Sequence, residues 1–77
     1  MINVLLFAYL QDEAGKEKII LTDAPLTVQQ LKQKLADDYG LKKLDNVMVA
    51  INEEYADDND LIQNGDTVAL IPPVSGG

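Results

Sequence analysis

Several residue types that carry chemistry in proteins are missing from this sequence of 77 residues. It contains no cysteine, histidine, arginine or tryptophan. The lack of cysteine and histidine excludes disulfides, thiolate nucleophiles, imidazole bases and the usual zinc ligands. The lack of arginine excludes bidentate clamping of phosphate groups. Any chemistry in which this chain takes part therefore needs another reactive group.

Long apolar runs are also missing. No stretch approaches the roughly 20 apolar residues that a membrane-spanning helix needs. Residues 1–10 are apolar, but they have neither a preceding lysine nor a small-residue cleavage site, so a strand is a better interpretation than a signal peptide. We therefore expect no membrane partner. Together with the lack of cysteine, this favours a soluble, cytoplasmic protein.

Positive charge is scarce and is confined to one part of the sequence. The chain has 13 acidic and 6 basic residues, which gives a formal net charge of −7. All the lysines precede residue 44, and no basic residue accompanies the acids downstream of it. Such a surface is a poor partner for nucleic acid. The excess acids either keep the chain soluble or steer it toward a basic partner, and the sequence leaves both open.

The densest acidic stretch, residues 53–60, does not have the spacing of a metal site. If Asp57 is counted as the first ligand of a calcium loop, Ile62 falls where glycine is required and Val68 falls where a bidentate glutamate is required. Nothing in the pattern predicts a pocket in which two of these carboxylates would act as acid and base. We expect neither a bound metal nor catalysis here.

Strand patterns recur along the sequence. The predicted strands are residues 1–10, 17–22, 47–52 and 67–71, with a short strand within residues 52–56. The first strand is apolar on both faces, which is typical of the centre of a sheet, and we expect it to form a hairpin with the second across a turn at residues 11–16. Residues 57–63 are predicted to be irregular.

One amphipathic helix is predicted between the second and third strands. Thr27 and Gln30 form a capping-box pattern, from which an apolar stripe runs to Tyr39 and ends at Gly40. The element order predicts an α+β domain over residues 1–73, in which a mixed sheet carries one main helix on one face. The other face should present an apolar patch to solvent or to a partner, unless the sheet curls to hide it.

The residues after the last strand are predicted to form an arm. Pro72 and Pro73 stop the strand and stiffen its exit. The residues that follow are Val74, Ser75, Gly76 and Gly77. Because glycine has no Cβ, Gly76 and Gly77 would fit a narrow channel in a partner enzyme. The reactive group would be the α-carboxylate of Gly77, activated by an adenylating enzyme; the other interpretation is a frayed end.

The sequence from residue 64 to residue 77 resembles the end of the molybdopterin synthase small subunits, a family of ubiquitin-like sulfur carriers. The likeness comprises the Gly-Asp turn at residues 65–66, the apolar strand after it and the Pro-Pro-Val-Ser-Gly-Gly ending. Upstream it includes residues 4–8, 14–15, 27–28, 31 and 50–52. The resemblance implies a ubiquitin-like β-grasp fold, with a flexible arm at residues 74–77.

The resemblance also implies a reaction cycle. Gly77 would be adenylated by an ATP-dependent activating enzyme, converted to a thiocarboxylate with sulfur from a donor protein, and inserted into a large subunit. There it would give its sulfur to the dithiolene of molybdopterin. The residues expected to occupy the channel are Val74, Ser75 and Gly76. The residues expected to dock on the partner are Phe7, Pro72 and Pro73.

By the same resemblance, this chain would be the non-catalytic small subunit of a heterotetrameric synthase whose catalytic pocket lies on the large subunit. No cofactor would be bound to the carrier itself. Two alternatives stay open. Sulfur carriers for thiamine or tRNA thiolation also end in Gly-Gly on this fold, and a protein modifier would be conjugated to lysines through Gly77.

Overall fold

The computed structural model describes residues 1–73. Its strands are Ile2–Leu6 (β1), Lys18–Leu21 (β2), Leu26–Thr27 (β3), Met48–Ile51 (β4), Glu54–Ala56 (β5), Leu61–Ile62 (β6) and Thr67–Ile71 (β7). Its helices are Tyr9–Ala14 (α1) and Val28–Tyr39 (α2), with a 3-10 turn at Leu44–Asn46. Neither helix of this described part is long and apolar enough to cross a membrane.

Five strands form one mixed sheet in the order β2, β1, β7, β4, β5, and β3 pairs with β6 beside it. β1 and β7 are parallel, whereas the other neighbours in the sheet are antiparallel. The predicted α+β class is therefore confirmed. The two most apolar strands, β1 and β7, are adjacent and lie inside the sheet, as their apolar pattern predicted.

The main helix begins and ends where the sequence predicted. The Thr27 side chain accepts a hydrogen bond from the Gln30 backbone N–H at 3.1 Å, and the Gln30 side chain accepts one from the Thr27 N–H at 2.8 Å. This capping box satisfies N–H groups that a helix start otherwise leaves unpaired. Gly40, with φ of 67°, ends the helix in the left-handed conformation.

The core lies between α2 and one face of the sheet. Alternate residues of β1 and β7 point toward the buried stripe of α2, as the two-residue period of a strand requires. The residues at the centre of this core are Ile2, Val4, Leu6, Leu31, Leu35, Val68 and Leu70. Each such side chain contributes about 1.5–3 kcal/mol when it is fully removed from water.

The first strand is shorter than predicted. β1 ends at Leu6, and a helix, α1, replaces the strand end and the turn that were predicted there. Leu10 is buried through this helix, and Gln11 Nε2 donates a hydrogen bond to the Leu6 carbonyl at 2.9 Å. Ala8 precedes α1 at a φ of 55° and provides no side-chain cap in the described structure. No capping residue in the sequence therefore marks where α1 begins.

The segment predicted to be irregular contains β6. Ile62 is fully buried and pairs with Leu26 of β3. The carbonyls of Asp60 and Asp58 accept hydrogen bonds from the first two N–H groups of α2, each at 3.0 Å. The segment therefore completes the N-terminus of α2, where four N–H groups have no partner within the helix.

Candidate functional site at the tail root

The strand that leads to the predicted arm is held on both sides. Leu70 of β7 pairs with Leu6 of β1 and with Val49 of β4. Pro72 is buried and Pro73 is exposed, and these two prolines are called the tail root below. The predicted functional residues Val74, Ser75, Gly76 and Gly77 lie outside the described residues.

Phe7 lies at the same end of the sheet as the tail root. Because β1 and β7 are parallel and Leu6 pairs with Leu70, the residues that follow each strand emerge side by side. The side chain of Phe7 is 43% exposed. Of the three residues predicted to dock on a partner, Phe7 and Pro73 therefore face solvent. The burial of Pro72 corrects the expectation that its ring lies at the surface, because the ring packs inside the domain instead.

The face of the sheet opposite α2 is called the open face. Its central row crosses four neighbouring strands and consists of Leu5, Ala69, Ala50 and Tyr55, as the strand register shows. A depression of about 440 Å³ lies over this row. Its lining residues are Phe7, Ala50, Glu53, Tyr55, Ala69 and Ile71. This apolar surface confirms the predicted patch on the face that the helix does not cover.

A second depression adjoins the tail root and is called the lysine cavity. It measures about 530 Å³ and is lined by Tyr9, Glu13, Lys42, Lys43, Asn46 and Pro73. The Lys42 backbone N–H donates a hydrogen bond to Glu13 Oε1 at 3.2 Å, which ties α1 to the loop before β4. The tail root is thus bordered by an apolar depression near Phe7 and by a cavity whose lining residues include two lysines and Glu13.

The acidic side chains of residues 1–73 do not form a metal site. No three acidic side chains in this range converge closely enough to hold a metal ion. Lys34 has a raised pKa because Asp23 and then Asp38 accept hydrogen bonds from its ammonium group, at 2.9 and 3.2 Å, but it lies on α2 and not at the tail root. The tail root and the two depressions beside it can bind a partner at the point where the chain leaves the sheet.

Sequence reasoning missed several residues of the site. Ala69 and Ile71 alternate with buried residues of β7, so strand periodicity was a usable signal for their position. Tyr55 lies within the short strand predicted in residues 52–56, but the acidic residues around it gave no signal that its ring belongs to an apolar surface. Lys42 and Lys43 form an adjacent basic pair, but their proximity to Pro73 depends on the fold.

Comparison with known proteins finds one matching family and relatives that match the whole length of the chain. The profile of the ThiS family matches residues 4–77. The molybdopterin synthase sulfur carrier subunit of Haemophilus influenzae is 35% identical to this chain, and the match covers 100% of each of the two chains. These matches extend through the segment that carries the predicted arm.

Two solved structures agree with the fold. SAMP1 from Haloferax volcanii has a TM-score of 0.82 and 29% identity, over 99% of this chain and 98% of that one. A chain in the complex of subunits 1 and 2 of molybdopterin-converting factor from Helicobacter pylori 26695 has a TM-score of 0.70 and 27% identity, over 99% of this chain and 97% of that one. The predicted ubiquitin-like β-grasp fold is confirmed.

Proposed function

The chain belongs to the ThiS family, and from that premise we propose that it is the sulfur carrier subunit of a molybdopterin synthase. The observation that carries the proposal is the tail root, which emerges from the middle of the sheet beside an apolar open face. In this proposal residues 1–73 dock on the partner through the apolar depression beside the tail root. The chemistry is assigned to Gly77 and to the partner enzymes.

The proposed cycle begins at the α-carboxylate of Gly77. One carboxylate oxygen attacks the α-phosphorus of ATP in an adenylating enzyme, and pyrophosphate leaves. The terminal sulfur of a persulfide on a sulfur donor protein then attacks the acyl adenylate and displaces AMP. A pair of thiols reduces the resulting acyl disulfide, which leaves a thiocarboxylate on Gly77 and a free thiol on the donor. Gly76 has no side chain to obstruct a narrow channel, and Val74 and Ser75 occupy the entrance. On the large subunit the sulfur is transferred to the dithiolene carbons of the pterin, and water restores the carboxylate.

The open face is the proposed contact with the large subunit. Stable subunit interfaces have apolar cores, and aromatic residues are enriched in them. Phe7, Tyr55 and Ile71 supply such a surface next to the tail root. The Helicobacter pylori complex joins subunits 1 and 2 of its molybdopterin-converting factor, which supports a large-subunit partner for this chain. A heterotetramer with two carriers is the proposed assembly.

The intact mass of the protein tests this cycle. The full chain, purified with a free C-terminus, is incubated with ATP, a sulfur donor protein and the adenylating enzyme. We expect the mass to rise by the difference between sulfur and oxygen. A variant that lacks Gly77 should keep its mass and its melting temperature, because a terminal residue contributes little to a core. An unchanged mass of the full chain with a competent enzyme would contradict the proposal.

A protein modifier is the second candidate function. It is favoured by the similarity to SAMP1 of Haloferax volcanii, a small archaeal modifier protein. A modifier would form amide bonds between Gly77 and lysines of other proteins, so incubation with ATP and a cell extract would give adducts that carry the chain on lysine. Sulfur transfer to a purified large subunit without such adducts would favour the carrier.

A further inference from the structure

The turn before β7 has no part in the proposed function. Asn64 and Gly65 are its two middle residues, and the Asp66 N–H closes it by donating a hydrogen bond to the Gln63 carbonyl at 3.1 Å. Gly65 has a φ of 95°, a left-handed conformation that glycine adopts without strain. Because β7 begins at Thr67, this turn lies at the end of the strand opposite the tail root.

Asn64 differs from the other asparagines in the residue that follows it. Glycine follows Asn64, whereas larger residues follow the others. The others are Asn3, Asn46, Asn52 and Asn59. Because glycine has no Cβ, its backbone nitrogen is the least obstructed. Asn64 and Gly65 are both exposed. Apart from the chain neighbours of Gly65, no atom of residues 1–73 lies within 4 Å of the place that a Cβ on Gly65 would take. A small ring therefore has room to form at this turn.

The Asn-Gly pair can react with itself. The backbone nitrogen of Gly65 attacks Cγ of Asn64, a new C–N bond closes a cyclic imide, and the C–N bond of the side-chain amide breaks. Ammonia leaves and carries away the proton of the Gly65 N–H. Water then opens the imide at either carbonyl and gives aspartate or isoaspartate. The reaction consumes only water and releases only ammonia.

One contact of the folded chain opposes this reaction. The Gly65 N–H donates a hydrogen bond to the Met1 carbonyl at 2.7 Å, which is at the short end of the range for such bonds. The reaction removes the proton that makes this bond, so the bond must open first, as it must in amide hydrogen exchange. Met1 precedes β1, and its side chain is 64% exposed. The acceptor therefore belongs to the very start of the sequence, where the chain has few packing contacts to hold it.

We propose that Asn64 is the deamidation site of this chain and that the Met1 carbonyl sets the rate. This inference does not rest on the proposed function. Each conversion places a carboxylate beside Asp66, whose own carboxylate accepts hydrogen bonds from the Gln63 N–H at 2.8 Å and from Asn52 Nδ2 at 3.0 Å. Isoaspartate also lengthens the main chain between β6 and β7 by one carbon. The modification therefore acts on the turn that leads into β7.

Peptide mapping by mass spectrometry tests the site. The full chain is incubated at mildly alkaline pH and digested, and chromatography separates the asparagine, aspartate and isoaspartate forms of each peptide. We expect conversion at Asn64 before conversion at any other asparagine. Asn64→Gln is the control for the assignment, because the longer side chain disfavours the ring, and it should show no conversion at residue 64.

A variant that begins at Ile2 tests the role of the Met1 carbonyl. It is released from a cleavable leader, as are the wild type and Met1→Leu. We expect it to deamidate about fivefold faster than the wild type, the factor that one typical backbone hydrogen bond contributes to an opening equilibrium. Hydrogen exchange of the Gly65 N–H, followed by NMR, should accelerate by a similar factor. Met1→Leu keeps the carbonyl and should keep the wild-type rate.

The wild-type chain unfolded in urea provides a second comparison, which holds even if the shortened variant does not fold. It should react at least about fivefold faster than the folded chain. Slow or undetectable conversion of the folded chain, together with fast conversion of the shortened variant, supports the inference. Equal rates for wild type and the shortened variant would overturn it, as would equal rates for the folded and unfolded chains. Faster conversion at another asparagine would also overturn it.

Discussion

Replacement of Phe7 by alanine separates partner docking from folding. Phe7 is 43% exposed, so of the roughly 200 Å² that an aromatic side chain offers, about 115 Å² lies inside the fold and about 85 Å² lies open. Alanine retains about half of the inner contact. The variant therefore buries about 55 Å² less apolar area on folding, which lowers the free energy of unfolding by about 1.4 kcal/mol at about 25 cal/mol per Å². A fully buried aromatic would lose about 3–5 kcal/mol.

The loss on docking is the larger of the two. If the large subunit covers the open part of Phe7, its removal forfeits about 85 Å² of apolar contact, or about 2 kcal/mol. That free energy corresponds to a Kd about thirtyfold higher. The expected order, with docking affected more than folding, holds because alanine retains part of the inner contact and none of the open part.

Two measurements check this prediction. Urea denaturation gives the free energy of unfolding, and calorimetry with the purified large subunit gives Kd. Leu61→Ala is the matched control, because Leu61 is an exposed apolar residue on β6, outside the five-stranded sheet, and does not line the depression at Phe7. The control should leave Kd unchanged. An unchanged Kd for Phe7→Ala, together with an unfolding loss of about 3 kcal/mol or more, would show that Phe7 is a core residue.

Three further predictions concern the scaffold. Thr27→Ala removes the capping hydrogen bond of α2 and should lower the free energy of unfolding by about 1 kcal/mol, measured in urea. Asn52 bridges two turns through its side chain at a φ of 51°, so Asn52→Ala should cost about 2 kcal/mol and Asn52→Gly about 1 kcal/mol less, because glycine tolerates that backbone. Asp23 and then Asp38 raise the pKa of Lys34 above its ordinary 10.5. The contacts of Lys34 with these two carboxylates stabilise the fold below pH 10.5, and this stabilisation is lost as the pH rises through the raised pKa of Lys34. The thermal midpoints of wild type and Lys34→Met should therefore converge as the pH passes that raised pKa.

The parts of the fold that the sequence predicted are those with a local chemical signal. The ends of α2 were predictable because Thr27 and Gly40 stabilise helix termini through their own side-chain and backbone chemistry. α1 was not predictable in the same way, because Ala8 does not cap it and the apolar run before it continues without a break. Leu10 is buried under either interpretation, so its hydrophobicity did not distinguish a strand from a helix.

The site was only partly predictable. The family resemblance, and not strand order, named Phe7 as a docking residue, and the structure places it at the end of the sheet from which the tail leaves. Pro72 was expected at the surface, but its burial depends on how the chain packs after β7, which no local pattern encodes. The lysine cavity depends on α1 and on the loop before β4, which meet only in the folded protein.

The position of β7 between two neighbours has a mechanical consequence. A partner that grips the residues beyond Pro73 and pulls along the strand does not peel β7 from an edge. Such a pull places a shear force on the hydrogen bonds from β7 to β1 and to β4 together, because these bonds run across the direction of the pull. Every bond in both ladders then shares the force at once. The tail can therefore be drawn into a narrow channel while the domain that carries it stays folded.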